Sequence, residues 1–192
     1  LAMAAKQMGV KAIIVMPRIT PEIKVAAVRA RGAKVVLKGD AFAEAAAHAQ
    51  TLIEEHGYTY IPPFDDIDVV AGQGTIAVEI LRQHGGPLDA IFVPVGGGGL
   101  IAGVAAYVKY LRPEIKVIGV EAEDSACFKA ALEAGKRVTL DQVGVFAEGV
   151  AVAQVGKVPF DIARDLVDEV ITVNTDEMCA AVKDIFEETR AV

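Results

Sequence analysis

The sequence has few of the residues that usually announce a metal centre or a disulfide. Its 192 residues include only two cysteines and three histidines. Cys127 and Cys179 lie far apart in helical patterns, so we expect buried free thiols in a reducing cytoplasm rather than a disulfide. Because no CxxC motif or histidine pair has the spacing of metal ligands, no metal site is predicted.

Long apolar runs and an excess of positive charge are also missing. No run approaches the ~20 apolar residues that span a bilayer, so no membrane partner is expected. The net charge of −7 argues against nucleic acid as a partner, because nucleic acid favours basic surfaces. A hydrophobic content of 53% is too high for a disordered chain. The composition therefore predicts a folded domain that binds any anionic ligand through local donors.

Short β-branched runs alternate with longer segments of helical periodicity along the whole chain. This order predicts an α/β fold with open parallel sheets and helices on both faces. Thr20 and Asn174 have the positions of helix N-caps, the second with capping-box spacing to Glu177. The predicted strands are Ala12–Met16, Val35–Leu37, Tyr58–Ile61, Ala90–Val95, Lys116–Val120 and Glu169–Val173.

Two segments interrupt the alternation. The segment Pro62-Pro63-Phe64-Asp65-Asp66 cannot be a central strand or a helix interior, so we interpret it as a crossing between two lobes. Residues 1–62 are predicted to form part of a small lobe, and residues 63–192 part of a larger one. Residues 138–157 form a long connection without a clear period, and long connections in compact domains are often functional.

The most informative segment is Pro94-Val95-Gly96-Gly97-Gly98-Gly99-Leu100, which joins a predicted strand to a predicted helix. A helix N-terminus carries unpaired N–H groups and a partial positive charge, so the segment suits a phosphate. A tight turn that packs helix against strand is the alternative. One or two glycines would suffice for such a turn, and each further glycine costs backbone entropy. Phosphate binding is therefore the favoured interpretation.

Two kinds of phosphate ligand fit the glycine segment. Gly97 to Ala102 match the G-x-G-x-x-G/A template of dinucleotide sites, and Glu121 follows about 20 residues later, where a ribose-binding acid belongs. This alternative predicts a nicotinamide-dependent oxidoreductase, although many glycine-rich βαβ units would match the template equally well. The second ligand is a compound with a single phosphate, such as pyridoxal phosphate.

Several motifs favour the second ligand by family resemblance. The chain resembles the biosynthetic threonine dehydratases (threonine deaminases) within the fold type II pyridoxal-phosphate family. The resemblance spans nearly all of the chain. The matching segments are the glycine segment, Ala71-Gly72-Gln73-Gly74-Thr75, Pro62-Pro63-Phe64-Asp65, Val120-Glu121-Ala122-Glu123-Asp124-Ser125-Ala126-Cys127 and Phe146-Ala147-Glu148-Gly149-Val150-Ala151-Val152.

The resemblance implies roles for individual residues. The backbone amides of Gly96, Gly97, Gly98, Gly99 and Leu100 would bind the phosphate of pyridoxal 5'-phosphate. Gly149 would lie beside the pyridine ring, where a side chain would collide, and Glu148 is a candidate to face the substrate.

Two further groups of residues are less specific. Gly72, Gln73 and Gly74 are expected to form a close-packed turn and helix start near the site, or a kink between two helical pieces. Glu121, Glu123 and Asp124 form an acidic cluster that resembles a cation site in relatives. We interpret them as solvated loop acids, since acids are mostly exposed.

In this family the resemblance places the lysine that holds the cofactor, and a Ser-x-Gly-Asn segment for the substrate carboxylate, upstream of Leu1. No lysine of this chain lies in a matching motif, so no catalytic residue is assigned. We expect a fragment of a longer protein, because both ends lie within helical patterns.

The implied parent activity is threonine ammonia-lyase, which converts threonine to 2-oxobutanoate and ammonia in isoleucine biosynthesis. The parent is expected to be a cytoplasmic homo-oligomer with an amino-acid substrate, threonine or serine. The fragment alone is predicted to be inactive. Another fold type II lyase or racemase acting on serine, and an inert structural fragment, remain alternatives.

Overall fold

Parallel strands and helices alternate through most of the chain, as the periodicity predicts. The computed structural model describes residues 1–40, 42–144 and 146–190. These residues form two compact units, Leu1–Tyr60 and Ile61–Val192. The division falls two residues before the predicted lobe boundary, and the assignment of the units to lobes of an enzyme stays a prediction.

The first unit contains a two-stranded parallel sheet. Strand β1 pairs with β2 in a register that sets Ile13 opposite Lys34 and Met16 opposite Leu37. Its small core comes from alanines and one valine, Val25, which is fully buried. In chain order the elements are α1 (Ala2–Gln7), β1 (Ile13–Met16), α2 (Glu22–Ala30), β2 (Lys34–Leu37) and α3 (Phe42–His56).

The second unit is built on a three-stranded parallel sheet with the order β3-β4-β5. In chain order its elements are α4 (Ile67–Gln83), β3 (Ala90–Pro94), α5 (Gly99–Leu111), β4 (Lys116–Ala122), a short 3-10 helix (Glu123–Ser125), α6 (Cys127–Ala134), α7 (Lys157–Ala163), β5 (Glu169–Val173) and α8 (Thr175–Thr189).

Helix α5 lies at the centre of the second unit. It packs between α4, α7 and the sheet, and most of its residues are buried. A Cβ atom added to Gly103 of α5 would lie 2.4 Å from the carbonyl oxygen of Val70 and 2.5 Å from the nitrogen of Gly74. This close approach of two backbones fixes the position of α5, and α5 in turn fixes the segment that precedes it.

Some sequence predictions about local structure are wrong. Tyr58–Ile61 pairs with no strand among the residues described. Gly72, Gln73 and Gly74 lie inside the continuous helix α4 and form neither a turn nor a helix start. Thr20 makes no capping hydrogen bond to α2, whereas the predicted capping box of Asn174 and Glu177 is present at the start of α8.

Candidate functional site

The glycine turn, which we define as Gly96–Gly99, lies at the carboxyl end of β3 and leads directly into α5. Gly98 is the residue before the helix and has a φ of +88°, in the left-handed region that favours glycine. Gly97, Gly98 and Gly99 are buried, while Gly96 and Leu100 are half-buried. In parallel sheets this edge is where ligands bind.

Donors from the protein hold the first three carbonyl groups of the turn. The Cys127 thiol donates to the Gly96 carbonyl oxygen at 3.5 Å. The Gly156 N–H donates to the Gly97 oxygen, and the Ala102 N–H to the Gly98 oxygen, each at 3.0 Å. Three consecutive peptide groups are therefore fixed in orientation.

The N–H groups of Gly97, Gly98 and Gly99 have no acceptor among the protein groups that the structure describes. In a trans peptide the C=O and the next N–H point in opposite directions, and no described peptide bond is cis. The N–H groups of Gly97, Gly98 and Gly99 therefore point away from the donors that hold the three carbonyls. Among the described residues none of these three groups donates a hydrogen bond. Because buried N–H groups are costly to leave unpaired, the turn is suited to a bound anion.

Packing also restricts side chains at the four positions of the turn. Added Cβ atoms would lie 3.0 Å from Val150 Cα at Gly96, 2.2 Å from the Phe64 ring at Gly97 and 2.9 Å from Val155 at Gly98. At Gly99 the added atom would lie 3.1 Å from Phe64 Cβ. Packing thus excludes a Cβ atom most clearly at Gly97 and Gly98, whereas at Gly96 and Gly99 the neighbouring atoms would have to shift only slightly. The orientation of the peptide groups, and not the number of glycines, supports an anion site.

The segment Phe146–Val150 lies beside the glycine turn, because Val150 contacts Gly96. Glu148 and Gly149 within this segment are both exposed. A Cβ atom added to Gly149 would have no protein atom within 4 Å, and the φ of Gly149 is not in the left-handed region. The described protein atoms therefore give no reason for glycine at this position. The roles predicted for Glu148 and Gly149 stay predictions.

Glu121 is not a solvated loop acid, and that interpretation is wrong for it. Its side chain is 1% exposed, and it accepts hydrogen bonds from the N–H groups of Phe128 at 2.9 Å and Lys129 at 2.8 Å. Burial raises the pKa of the Glu121 carboxyl, and these two hydrogen bonds oppose that rise. The carboxylate caps α6, which has no cap from its own preceding residue.

The capping role of Glu121 bears on two alternatives from the sequence. A carboxylate that is buried and already bonded to two N–H groups cannot bind a ribose hydroxyl, which argues against the dinucleotide interpretation. Asp124 lies against Gly144, and its carboxylate accepts from the Ser125 hydroxyl at 3.1 Å. Within residues 1–40, 42–144 and 146–190, no three His, Cys, Asp or Glu side chains form a cluster that could hold a metal ion.

The two cysteines differ in environment. Cys127 is fully buried at the start of α6, as predicted, whereas Cys179 on α8 is exposed, so that part of the prediction is wrong. Burial, and next the charge of Glu121, raise the pKa of the Cys127 thiol to about 12. The thiol is therefore protonated at neutral pH and is able to donate to Gly96.

Sequence reasoning missed Phe64, Asp65 and Cys127 as neighbours of the turn. The Phe64 ring covers Gly97, and Asp65 accepts from the Val158 N–H at 2.8 Å, which links the 62–66 segment to the start of α7. Parallel topology offers a signal for Cys127, because α6 follows β4, the strand next to β3. The helices after neighbouring parallel strands begin at the same edge of the sheet.

The site fits a phosphate monoester in its donor set. Buried, oriented N–H groups at the N-terminus of the 13-residue helix α5 are donors that a dianion can accept from without a lysine or arginine.

In the part of the chain that the structure describes, no helix is long and apolar enough to cross a membrane.

Comparisons with known proteins place this site in context. The chain is 58% identical over 194 aligned residues to the L-threonine dehydratase biosynthetic IlvA of Burkholderia multivorans, covering 100% of this chain and 38% of that protein. The chain thus spans less than half the length of this curated relative.

Solved structures also resemble the chain. The processed form of threonine deaminase isoform 2 from Solanum lycopersicum matches with a TM-score of 0.95 and 49% identity, over 100% of this chain and 52% of that one. Serine racemase from Dictyostelium discoideum matches with a TM-score of 0.88 and 34% identity, over 100% of this chain and 61% of that one. The family described as "Pyridoxal-phosphate dependent enzyme" matches residues 1–192. The chain therefore belongs to the pyridoxal-phosphate-dependent enzyme family.

Proposed function

We propose that this chain is the part of a threonine ammonia-lyase that binds the phosphate of pyridoxal 5'-phosphate. The ligands are the peptide N–H groups of Gly97, Gly98, Gly99 and Leu100, with Gly96 supplying the carbonyl that orients the first of them. The observation that carries the proposal is the set of buried N–H groups that point away from the donors holding the turn's carbonyls.

The electrostatics of the turn favour a dianion over a neutral ligand. The positive end of the α5 dipole lies at the turn, together with the unpaired N–H groups of Gly97, Gly98 and Gly99. The chain as a whole carries a net charge of −7, so the attraction is local and belongs to the backbone. Burial of the turn strengthens it, because a low dielectric weakens screening.

The segment beside the turn supplies the remaining contacts in this proposal. A Cβ atom added to Gly149 would meet no described protein atom within 4 Å, and we assign this open space to the pyridine ring. Glu148 is exposed on the same segment and is assigned to the substrate side. When bound, pyridoxal phosphate supplies an electron sink for reactions at the Cα of an amino acid. No lysine of this chain is assigned a catalytic role.

Threonine is proposed as the substrate of the whole enzyme. Support comes from identity, which is 58% to a protein named threonine dehydratase and 34% to a serine racemase. Threonine and serine differ by one methyl group, which an apolar pocket distinguishes by about 1–3 kcal/mol. A role in isoleucine biosynthesis, a cytoplasmic location and a homo-oligomeric parent belong to the same proposal.

The phosphate site is tested with a pair of ligands that differ in one group. Pyridoxine 5'-phosphate and pyridoxine both lack the aldehyde, so neither forms adducts with surface lysines. Calorimetry with the purified chain should show weak but saturable binding of pyridoxine 5'-phosphate, competed by inorganic phosphate, and much weaker binding of pyridoxine. Binding of neither ligand would identify an inert structural piece, and equal affinities for the two ligands would show that the chain does not recognise the phosphate.

A separate assay tests whether this chain contains catalytic residues. The chain incubated with pyridoxal phosphate and threonine should produce no 2-oxobutanoate. Release of 2-oxobutanoate above a protein-free control would show that this chain contains catalytic groups to which the proposal gives no role.

A further inference from the structure

A buried thiol contacts the glycine turn, and a buried acid fixes the start of the helix that carries this thiol. Glu121 is 1% exposed and Cys127 is fully buried. The Glu121 carboxylate accepts hydrogen bonds from the N–H groups of Phe128 and Lys129, which lie in the first turn of α6. It therefore fixes the start of α6, and Cys127 is the first residue of that helix.

Cys127 is the one side chain among the described residues that donates a hydrogen bond to the turn. Its thiol donates to the Gly96 carbonyl oxygen, while the carbonyls of Gly97 and Gly98 accept from backbone N–H groups. The peptide bond after Gly96 is trans, so holding this oxygen also sets the direction of the Gly97 N–H.

With the phosphate site proposed above as its basis, we propose that Cys127 is a positioning residue for the cofactor phosphate. Its thiol holds the Gly96 carbonyl, and thereby keeps the N–H of Gly97 directed at the phosphate. Glu121 supports this role by fixing α6 against the turn. Neither side chain contacts the ligand.

The local chemistry keeps the thiol in the form that donates. A cysteine at a helix N-terminus is usually acidified and reactive. Here burial, and next the charge of Glu121, raise the pKa of Cys127 to about 12, so the proton stays on sulfur across the neutral range. A thiolate at this position could only repel the carbonyl oxygen of Gly96.

Two substitutions separate hydrogen bonding from packing. Cys127→Ser and Cys127→Ala both remove the sulfur, but only serine keeps a donor. If Cys127 acts through packing alone, the serine variant should bind the ligand no better than the alanine variant, since burying a hydroxyl costs more free energy than burying a methyl group. A positioning role predicts the opposite order. Cys179→Ser, on the exposed face of α8, is the matched control.

The measurement is the affinity of each variant for pyridoxine 5'-phosphate, with pyridoxine as reference and thermal unfolding as a check on folding. Cys127→Ser should stay within about twofold of the unsubstituted chain, and Cys127→Ala should lose about threefold to tenfold, the range of one neutral hydrogen bond. Should alanine prevent folding, Cys127→Val replaces it, since valine fills more of the space without a donor.

Equal affinities of the serine variant and the variant without a donor would overturn the positioning role while leaving the phosphate site intact. A chain that binds pyridoxine as well as pyridoxine 5'-phosphate would instead overturn the phosphate site, and the positioning role with it. The two failures are therefore distinguishable in one set of titrations.

Discussion

The glycine turn at Gly96–Gly99 and the neighbouring segment Phe146–Val150 use glycine for different reasons. At each position of the turn, an added Cβ atom would lie 3.1 Å or less from Phe64, Val150 or Val155. At Gly149 the corresponding space is open. Protein contacts therefore explain glycine in the turn, most clearly at Gly97 and Gly98, whereas glycine at 149 has no explanation among the described protein atoms. In the function proposed above, the turn binds the phosphate through its N–H groups, and the open space at Gly149 is assigned to the pyridine ring.

The largest expected effect comes from placing a side chain in the turn. Gly98→Ala combines a left-handed backbone with contacts to Val155 and Pro159 closer than about 3 Å, and should lower the free energy of unfolding by about 2–4 kcal/mol. Urea unfolding measures this loss. Gly135→Ala is the control, because Gly135 has a similar φ of +65° with open space around it. A loss no larger at Gly98 than at Gly135 would show that packing does not constrain the turn.

The second largest loss of stability is expected when Glu121, which caps α6, is substituted. Glu121→Gln replaces one acceptor oxygen with an amide donor and leaves the N–H of Phe128 or Lys129 unpaired. The variant should lose about 1–3 kcal/mol of stability, the cost of one buried unpaired donor. Circular dichroism during urea unfolding gives the value, and an unchanged midpoint would contradict the capping role.

The same variant has an expected pH dependence. Burial raises the pKa of Glu121 in the folded chain, so the folded state holds its proton to a higher pH than the unfolded state does. Stability from this group therefore falls as the pH rises above the unfolded pKa, a slope that glutamine lacks. The advantage of glutamate over glutamine should shrink with rising pH. An advantage that grows instead would mean that the two N–H hydrogen bonds outweigh burial.

The smallest effect on stability is expected for a substitution at Gly149. Gly149→Ala should leave the unfolding midpoint unchanged, because the added methyl group meets no protein atom. It should weaken pyridoxine 5'-phosphate binding by about tenfold, since overpacking by a methyl group costs about 1–3 kcal/mol. Gly85→Ala, also in open space and with an ordinary φ, is the matched control. Unchanged affinity of the Gly149→Ala variant would show that the pyridine ring does not lie beside residue 149.

The alternation of strands and helices was predictable from the sequence, because β-branched runs and helical periodicity follow directly from buried parallel sheets. Asn174 shows how far local chemistry reaches, since its capping box with Glu177 depends only on residues three apart. Tyr58–Ile61 shows the limit. A β-branched or aromatic run becomes a strand only where a neighbouring strand pairs with it, and pairing is not a local property.

The location of the candidate site was predictable from the sequence, but the contacts that build the site were not. The glycine segment marked the edge of the sheet, since strand, turn and helix meet there. Glu121 was misread as a solvated acid, because its two partners at Phe128 and Lys129 are brought to it only by the turn from β4 into α6. The packing of Phe64 on Gly97 joins residues 33 positions apart, and no spacing rule indicates it.

The central claim is that the amides of Gly97–Leu100 bind a phosphate monoester. Two-dimensional 1H–15N spectra of the chain, titrated with pyridoxine 5'-phosphate and separately with pyridoxine, test this claim most directly. We predict that the phosphorylated ligand shifts the amide signals of Gly97, Gly98, Gly99 and Leu100, and that pyridoxine leaves them in place. Signals that respond equally to both ligands, or that do not move with either, would contradict the account.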